Sequence, residues 1–334
     1  MEDIMNFKKF IAAALVFGII AGTAACGKSA DVGDTANSTK QSEVAASSDT
    51  KTVKIAYLPL THALPVFVEN ELQDKSGSKY KIELVKYGSW PELMDALNTG
   101  HVDGASVLIE LAMKAKEQGI GVKAVALGHK DGNVIVVSNK INGVSDLKGK
   151  KFAIPHRQSS HNILLGQMLK DAGLSYKDVN IVELPPPEMP AALAQGQIDG
   201  YCVAEPFGAK SVALNTGKVL FESSELWKDS ICCSLVLSDK FINSSKDVAK
   251  EVVANYRDAG EYIDSHKDEA NSISKKYLNL DDKVLDLSMK WISYNDLAIT
   301  REAYDDLTKK MKEFGISSNP PAYDDFVDSN LFGN

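Results

Sequence analysis

The chain has 334 residues, 44% of them apolar and 25% charged, and a formal net charge of −8. This is the composition of a water-soluble globular protein, and the length suits two lobes of roughly 100–150 residues each. The negative balance supplies no basic field for a polyanion, so nucleic acid is not expected as a partner. Beyond the N-terminus no stretch reaches the ~20 consecutive apolar residues that a membrane-spanning helix needs.

Lys8 and Lys9 make a positive start, residues 10–20 an uncharged apolar run, and Ala21, Gly22, Thr23, Ala24 and Ala25 a small-residue stretch that ends at Cys26. An export signal has its parts in this order. Glu2 and Asp3 sit oddly in such a region, which makes Met5 an alternative start. The position of Cys26 is similar to that of a bacterial lipobox cysteine, with Thr23 where Leu is usual. The similarity implies cleavage before Cys26, a lipid anchor on Cys26, and a place at the cell membrane on its extracytoplasmic side; the alternative is a secreted protein cut near Ala25. Residues 27–50 are mostly Gly, Ser, Ala, Thr and Asp with almost no large apolar side chain, which predicts a flexible tether. The remaining cysteines are Cys202, Cys232 and Cys233. They show neither zinc spacing nor C-x-x-C, so buried free thiols are expected and no metal or cofactor. A disulfide from Cys202 to either neighbour stays open.

Strand-like alternation at 53–58 is broken at Pro59 and followed by a helical apolar segment at 64–72. A strand at 81–85, a helix at 91–98 with Pro91 at its start, a strand at 105–109, a helix around 114–118 and a strand at 122–127 follow. The same grammar recurs: strand 151–154, loop 155–159, helix 160–172 with a serine cap, strand 180–184, helix 190–195 and strand 200–203. Alternating strands and helices predict parallel α/β sheets. One stretch ties the halves together. Residues 96–107 and 192–203 both read A-L-x-x-G-x-(apolar)-D-G-x-x-V, in which Gly ends a helix and Asp-Gly turns the chain into a strand. Upstream of the two copies lie His62 and His161, each at a helix start.

After an apolar strand at 232–237, residues from 246 onward are amphipathic helix, with Val252, Val253, Tyr256, Ala259 and Ile263 on one face. These helices are expected to return to the first lobe, with crossings near 133–140 and 230–238. The organisation expected is a signal at 1–25, a tether at 26–51, lobe one at 52–132 plus 236–334, and lobe two at 133–235.

Two similar α/β lobes behind an export signal resemble the two-lobed periplasmic-binding-protein-like fold (type II), with its ligand cleft between the lobes. Residues 55–63, I-A-Y-L-P-L-T-H-A, resemble the first strand and loop of the nitrate/sulfonate/bicarbonate/taurine group of ABC-importer binding proteins, a group that also includes binders of thiamine precursors. Gly196, Asp199, Gly200, Val203, Glu205 and Pro206 resemble that group's second-lobe signature, and residues 185–189 look closest to its nitrate and bicarbonate members. The resemblance implies a non-enzymatic, monomeric binder that captures a small solute of the sulfonate, nitrate or bicarbonate type between its lobes and serves permease transmembrane subunits and their cytoplasmic ATPase.

In such proteins the ligand sits at strand carboxyl ends and helix starts, where free N–H groups suit an anion. The positions implied here are Leu60, Thr61, His62, Ile109 and Glu110 in lobe one, and Arg157, Ser159, Ser160, His161 and Glu205 in lobe two. Trp90 is similar to the tryptophan that covers nitrate or bicarbonate in relatives, whereas the nitrate binders' glutamine has no match near 136–139. Glu110 and Glu205 would repel a bare anion and favour a ligand carrying a donor or a cation. The alternative to a binder is an enzyme of the thiamine-pyrimidine or menaquinone type, which shares this fold without an export signal.

Overall fold

The computed structural model describes residues 50–333, with the backbone alone for residues 74–76. The expected signal segment, Cys26 and nearly all of the tether lie outside the described residues.

In chain order the strands are β1 (Lys51–Tyr57), β2 (Tyr80–Lys86), β3 (Gly104–Leu108), β4 (Val122–Leu127), β5 (Lys130–Asp131), β6 (Asn133–Ser138), β7 (Lys151–Ile154), β8 (Asn180–Glu183), β9 (Gly200–Ala204), β10 (Gly217–Glu222), β11 (Cys233–Ser238) and β12 (Ile292–Ser293). They form two five-stranded sheets of the same topology, ordered β2-β1-β3-β11-β4 and β8-β7-β9-β6-β10. In each sheet three strands run parallel, and the fourth and fifth positions are reached through antiparallel pairs. β5 and β12 make a small third pair. The central strands β3 and β9 are buried along their whole length, as expected of strands covered by helices on both faces.

The internal repeat is visible atom by atom. Gly100 and Gly196 end their helices with φ of +74° and +69°, a conformation glycine adopts without a Cβ penalty. Asp103 Oδ2 accepts from Lys54 N at 2.9 Å, and Asp199 Oδ2 accepts from Lys151 N at 3.0 Å. Asp103 N donates to Lys54 O, and Asp199 N to Lys151 O, at 2.8 Å each. Each aspartate thus ties β1 or β7 to the turn that launches β3 or β9.

The crossings between sheets fall at 128–132 and 227–232, ahead of the positions expected from sequence. The reason is that β6 and β11 are interior strands, each hydrogen-bonded on both sides. The antiparallel fourth place of the first sheet is therefore filled by a strand arriving from the end of the second half.

The helix Lys246–Ser265 buries Ala249, Val252, Val253, Tyr256, Ala259 and Ile263, and the Tyr256 hydroxyl donates to Leu127 O at the end of β4. With the helix Lys267–Leu278 it covers the helix Leu64–Ser76 of the first half, where Tyr277 stacks on Phe67 at 4.6 Å. Later residues reach the second half as well. The helix Asp282–Ser288 packs on the helix Phe207–Ala213. The helix Arg301–Glu313 meets the helix Ser160–Asp171 through Lys170–Glu313 (2.6 Å) and Lys310–Gln167 (3.1 Å).

Candidate functional site

The carboxyl ends of the parallel strands in both sheets face the junction, and each delivers polar residues there. β1 leads through Pro59 and Leu60 into a 3₁₀ turn, Thr61–Ala63. β3 passes directly into the helix Ile109–Glu117, so Ile109 and Glu110 stand at its first positions. β7 leads to the helix Ser160–Asp171, where Ser159 rather than Ser160 is the cap: its Oγ accepts from Asn162 N at 3.3 Å and donates to His156 O at 2.6 Å. β9 ends at Glu205.

Three backbone-anchored contacts join these ends and the segments beside them. Thr61 donates both its N–H and its hydroxyl to the Glu205 carbonyl, at 3.0 Å each. Ile109 N donates to Cys232 O at 2.8 Å, and Gly128 N to Cys233 O at 2.7 Å. A Cβ on Gly128 would come within 2.9 Å of His62 O, so glycine allows the segments carrying His62, His129 and Cys233 to close together.

What they enclose is a fully buried group of nitrogen and sulfur donors. His62, His129, Cys232 and Cys233 offer ligand atoms that all lie within 4.8 Å of one another. His62 Nδ1 is 3.5 Å from Cys233 Sγ and 3.8 Å from Cys232 Sγ, and the two sulfurs are 3.9 Å apart. His62 Nε2 is 2.9 Å from the Gly132 carbonyl. A carbonyl only accepts, so this nitrogen carries the proton and Nδ1 presents its lone pair to the sulfurs. The His62 and His129 rings lie 3.5 Å apart between centroids. Asn133 Oδ1 accepts from the Cys232 thiol at 3.6 Å.

Several of these groups lack a hydrogen-bond partner of conventional geometry: both ring nitrogens of His129 and of His161, both carboxyl oxygens of Glu110, Ser160 Oγ and Asn133 Nδ2. Buried polar atoms without partners are rare enough in folded proteins to need an explanation. Burial, reinforced by neighbouring His62, pushes His129 down to about 4, and burial likewise takes His161 to about 4 despite the Cys232 sulfur beside it. Both are neutral at pH 7. Burial, with Cys232 nearby, holds the Glu110 carboxyl well above the carboxylate range, although the Ser160 backbone N–H favours its charged form. Burial alone would raise Cys232; the Cys233 S–H, His161, His129 and His62 together outweigh it and hold that thiol well below its ordinary value. Cys233 moves up, through burial and its neighbour.

Of the residues singled out from sequence, His62, Glu110, Ser160 and His161 come together at this group. Leu60, Thr61, Ile109 and Ser159 frame it through backbone and capping contacts. Trp90 is buried at the first helical position of Trp90–Asn98 and borders a crevice of about 240 Å³ with Pro91, Pro155, His156 and Pro186. Two other expected residues point away from this group. Arg157 is exposed, donating to the Ile181 carbonyl and facing Glu183, because the loop before the helix turns its long side chain outward along β8. The Glu205 carboxyl points back into its own half, accepting from Ala209 N at 3.1 Å and Ser288 Oγ at 2.8 Å, and burial raises it to about 8. Sequence reasoning missed His129 and left Cys232 and Cys233 as inert thiols; all three cysteines of the described residues are free and buried. The available signal was that His129 and Cys232 flank two strands that turn out to be neighbours.

The model of the NMT1-like family matches residues 46–278, more than two thirds of the sequence. The chain belongs to the NMT1-like family. This NMT1-like protein is similar to the ligand-binding component of an ABC-type import system from Staphylococcus aureus, solved with zinc bound: 41% identity, TM-score 0.79, covering 84% of this chain and 98% of that one. It is 26% identical over 262 residues to the nitrate/nitrite binding protein NrtA of Nostoc sp. (strain PCC 7120), which covers 70% of this chain and 59% of the relative. It also superposes on the periplasmic aliphatic sulphonate binding protein SsuA from Escherichia coli, with TM-score 0.70 and 20% identity over 83% of this chain and 92% of that one. The last likeness shows the fold alone, which is the two-lobed periplasmic-binding-protein-like fold of type II. The chain spans 30% to 59% of the length of the curated relatives it matches.

Proposed function

We propose that this NMT1-like protein is the extracytoplasmic solute-binding component of an ABC importer. It captures one small solute between its two halves and delivers it to permease transmembrane subunits powered by a cytoplasmic ATPase. It acts as a monomeric binder rather than a catalyst, held at the membrane by a lipid on Cys26. The observation that carries this is the convergence of His62, Glu110, His129, Ser160 and His161, buried and largely without partners, at the junction where the strand ends of both sheets meet.

The nitrate- and sulfonate-binding relatives put anions among the candidate solutes. Held neutral by burial, the Glu110 carboxyl can donate to an anion rather than repel it, contrary to what the sequence suggested. The zinc of the Staphylococcus aureus relative adds metal ions to the candidates.

The test is to purify the protein from its native envelope, denature it, and analyse what is released by small-molecule mass spectrometry and elemental analysis. About one equivalent of a single intact solute is expected. A protein that releases nothing, and that takes up nothing from a cell extract, contradicts the proposal.

A further inference from the structure

We propose that His62, His129, Cys232 and Cys233 bind one soft transition-metal ion of the zinc or copper(I) class, and that this ion is the solute. The inference deepens the importer reading and rests on it.

Ligands held tetrahedrally at about 2.0–2.3 Å from zinc lie about 3.3–3.8 Å from one another. The three edges that join His62 Nδ1 and the two sulfurs measure 3.5, 3.8 and 3.9 Å, so three of the four donors already stand at that spacing. His129 completes the set within 4.8 Å, and both of its buried ring nitrogens are without conventional partners. The hydrogen bond from His62 Nε2–H to Gly132 O is the outer support that metal-ligating histidines characteristically have: it fixes the tautomer and aims the free nitrogen. Adjacent cysteines in a regular strand would point to opposite faces. Cys232 precedes β11, outside its pleat, which lets both sulfurs turn to one side.

The donor set also sets the class of ion. Thiolate and imidazole select zinc or copper(I), whereas calcium and magnesium take oxygen ligands. Two thiolates neutralise a divalent ion, which removes most of the cost of burying its charge. Capture in place of a permanent structural role follows from where the donors sit. All four belong to strand ends and connections of the first sheet, while His161, Ser160 and Asn133 come from the second half and cover them. An ion at this position is reached and released only when the halves separate.

The test uses the full chain carrying Cys26→Ser, reduced, stripped of metal, and titrated with Zn²⁺ and with Co²⁺. One equivalent of Zn²⁺ should bind, and Co²⁺ should give thiolate-to-metal charge-transfer absorption. Cys232→Ser and His129→Gln should each weaken Zn²⁺ binding about a hundredfold or more, and Cys232→Ser should reduce the charge-transfer band, while Cys202→Ala changes neither. Circular dichroism verifies that each variant is folded, and His129→Gln stands in if Cys232→Ser does not fold. His161→Ala should leave the ligand set intact and speed Zn²⁺ release. Zn²⁺ affinity unchanged in folded Cys232→Ser or His129→Gln overturns the inference. If denaturation releases an organic or inorganic anion and no metal, the inference fails while the importer reading stands; if the protein holds neither solute nor metal, both fail.

Discussion

Thr61 hangs from Glu205 by two bonds, its N–H and its hydroxyl both reaching the same carbonyl oxygen at 3.0 Å. One residue follows β1 of the first sheet and the other β9 of the second, so this pair clasps the halves at the edge of the buried donor group. The Tyr294 hydroxyl in turn donates to Thr61 O at 2.8 Å. Thr61→Val removes one of the two bonds and keeps the shape. Losing about 1 kcal/mol from the closed form should weaken solute binding roughly fivefold, read by calorimetry, with the far-ultraviolet spectrum unchanged.

His161 and Arg157 separate two roles that lie close together in sequence. His161 is completely buried beside Cys232, whereas Arg157 is on the surface against Glu183. His161→Ala should weaken solute binding at least tenfold, and Arg157→Ala should leave it within about twofold, because exposed ion pairs contribute about 0–1 kcal/mol and this one lies off the site. Parallel titrations of the two variants check this.

Glu69 sets a pH dependence of stability. It is buried in the helix Leu64–Ser76, accepts from the Tyr80 hydroxyl at 2.5 Å, and has Asn255 and Glu251 facing the same network from the helix Lys246–Ser265. Burial raises its carboxyl from 4.5 to about 8, against the lowering effect of Tyr80. The folded state therefore holds a proton that the unfolded chain gives up. This stabilisation is complete below about pH 4.5 and disappears as pH rises through about 8, at roughly 1.4 kcal/mol per pH unit in between. The melting temperature should fall from pH 5 to pH 8, and Glu69→Gln should flatten that fall, making the variant more stable than the parent at pH 8. Thermal melts at four or five pH values measure it. Glu205, also raised to about 8, adds to the same slope.

Gly166 tests the packing of the C-terminal helices on the second half. A Cβ there would press into the Tyr176 hydroxyl and the Phe314 ring. Overpacking of this kind costs about 1–3 kcal/mol, more than the helix propensity that alanine adds. Gly166→Ala should lower the melting temperature by several degrees, read by calorimetry, and leave solute affinity nearly unchanged.

Much of the fold was legible because its signals are local. The A-L-x-x-G-x-(apolar)-D-G repeat fixed the equivalence of the halves, and Asp103 and Asp199 do make the same bonds in each. The crossings were misplaced because the sequences of β6 and β11 look alike whether they connect sheets or lie inside one. The donor group was less visible. His62, His129, Cys232 and Cys233 are brought together by the pairing of β11 with β3 and β4, a relationship of sheet order that leaves no spacing in the chain. The direction of Arg157 was hidden for the opposite reason: its place beside the helix start is local, whereas β8 and Glu183 decide where its side chain points.

Small-angle X-ray scattering on the solute-free and the solute-saturated protein tests the central claim most directly. The solute is the one released by denaturation, added back to one equivalent. Capture between two halves predicts a smaller radius of gyration in the saturated protein, with the change reduced in His161→Ala. Identical scattering curves at full occupancy, in the parent and the variant alike, would contradict it.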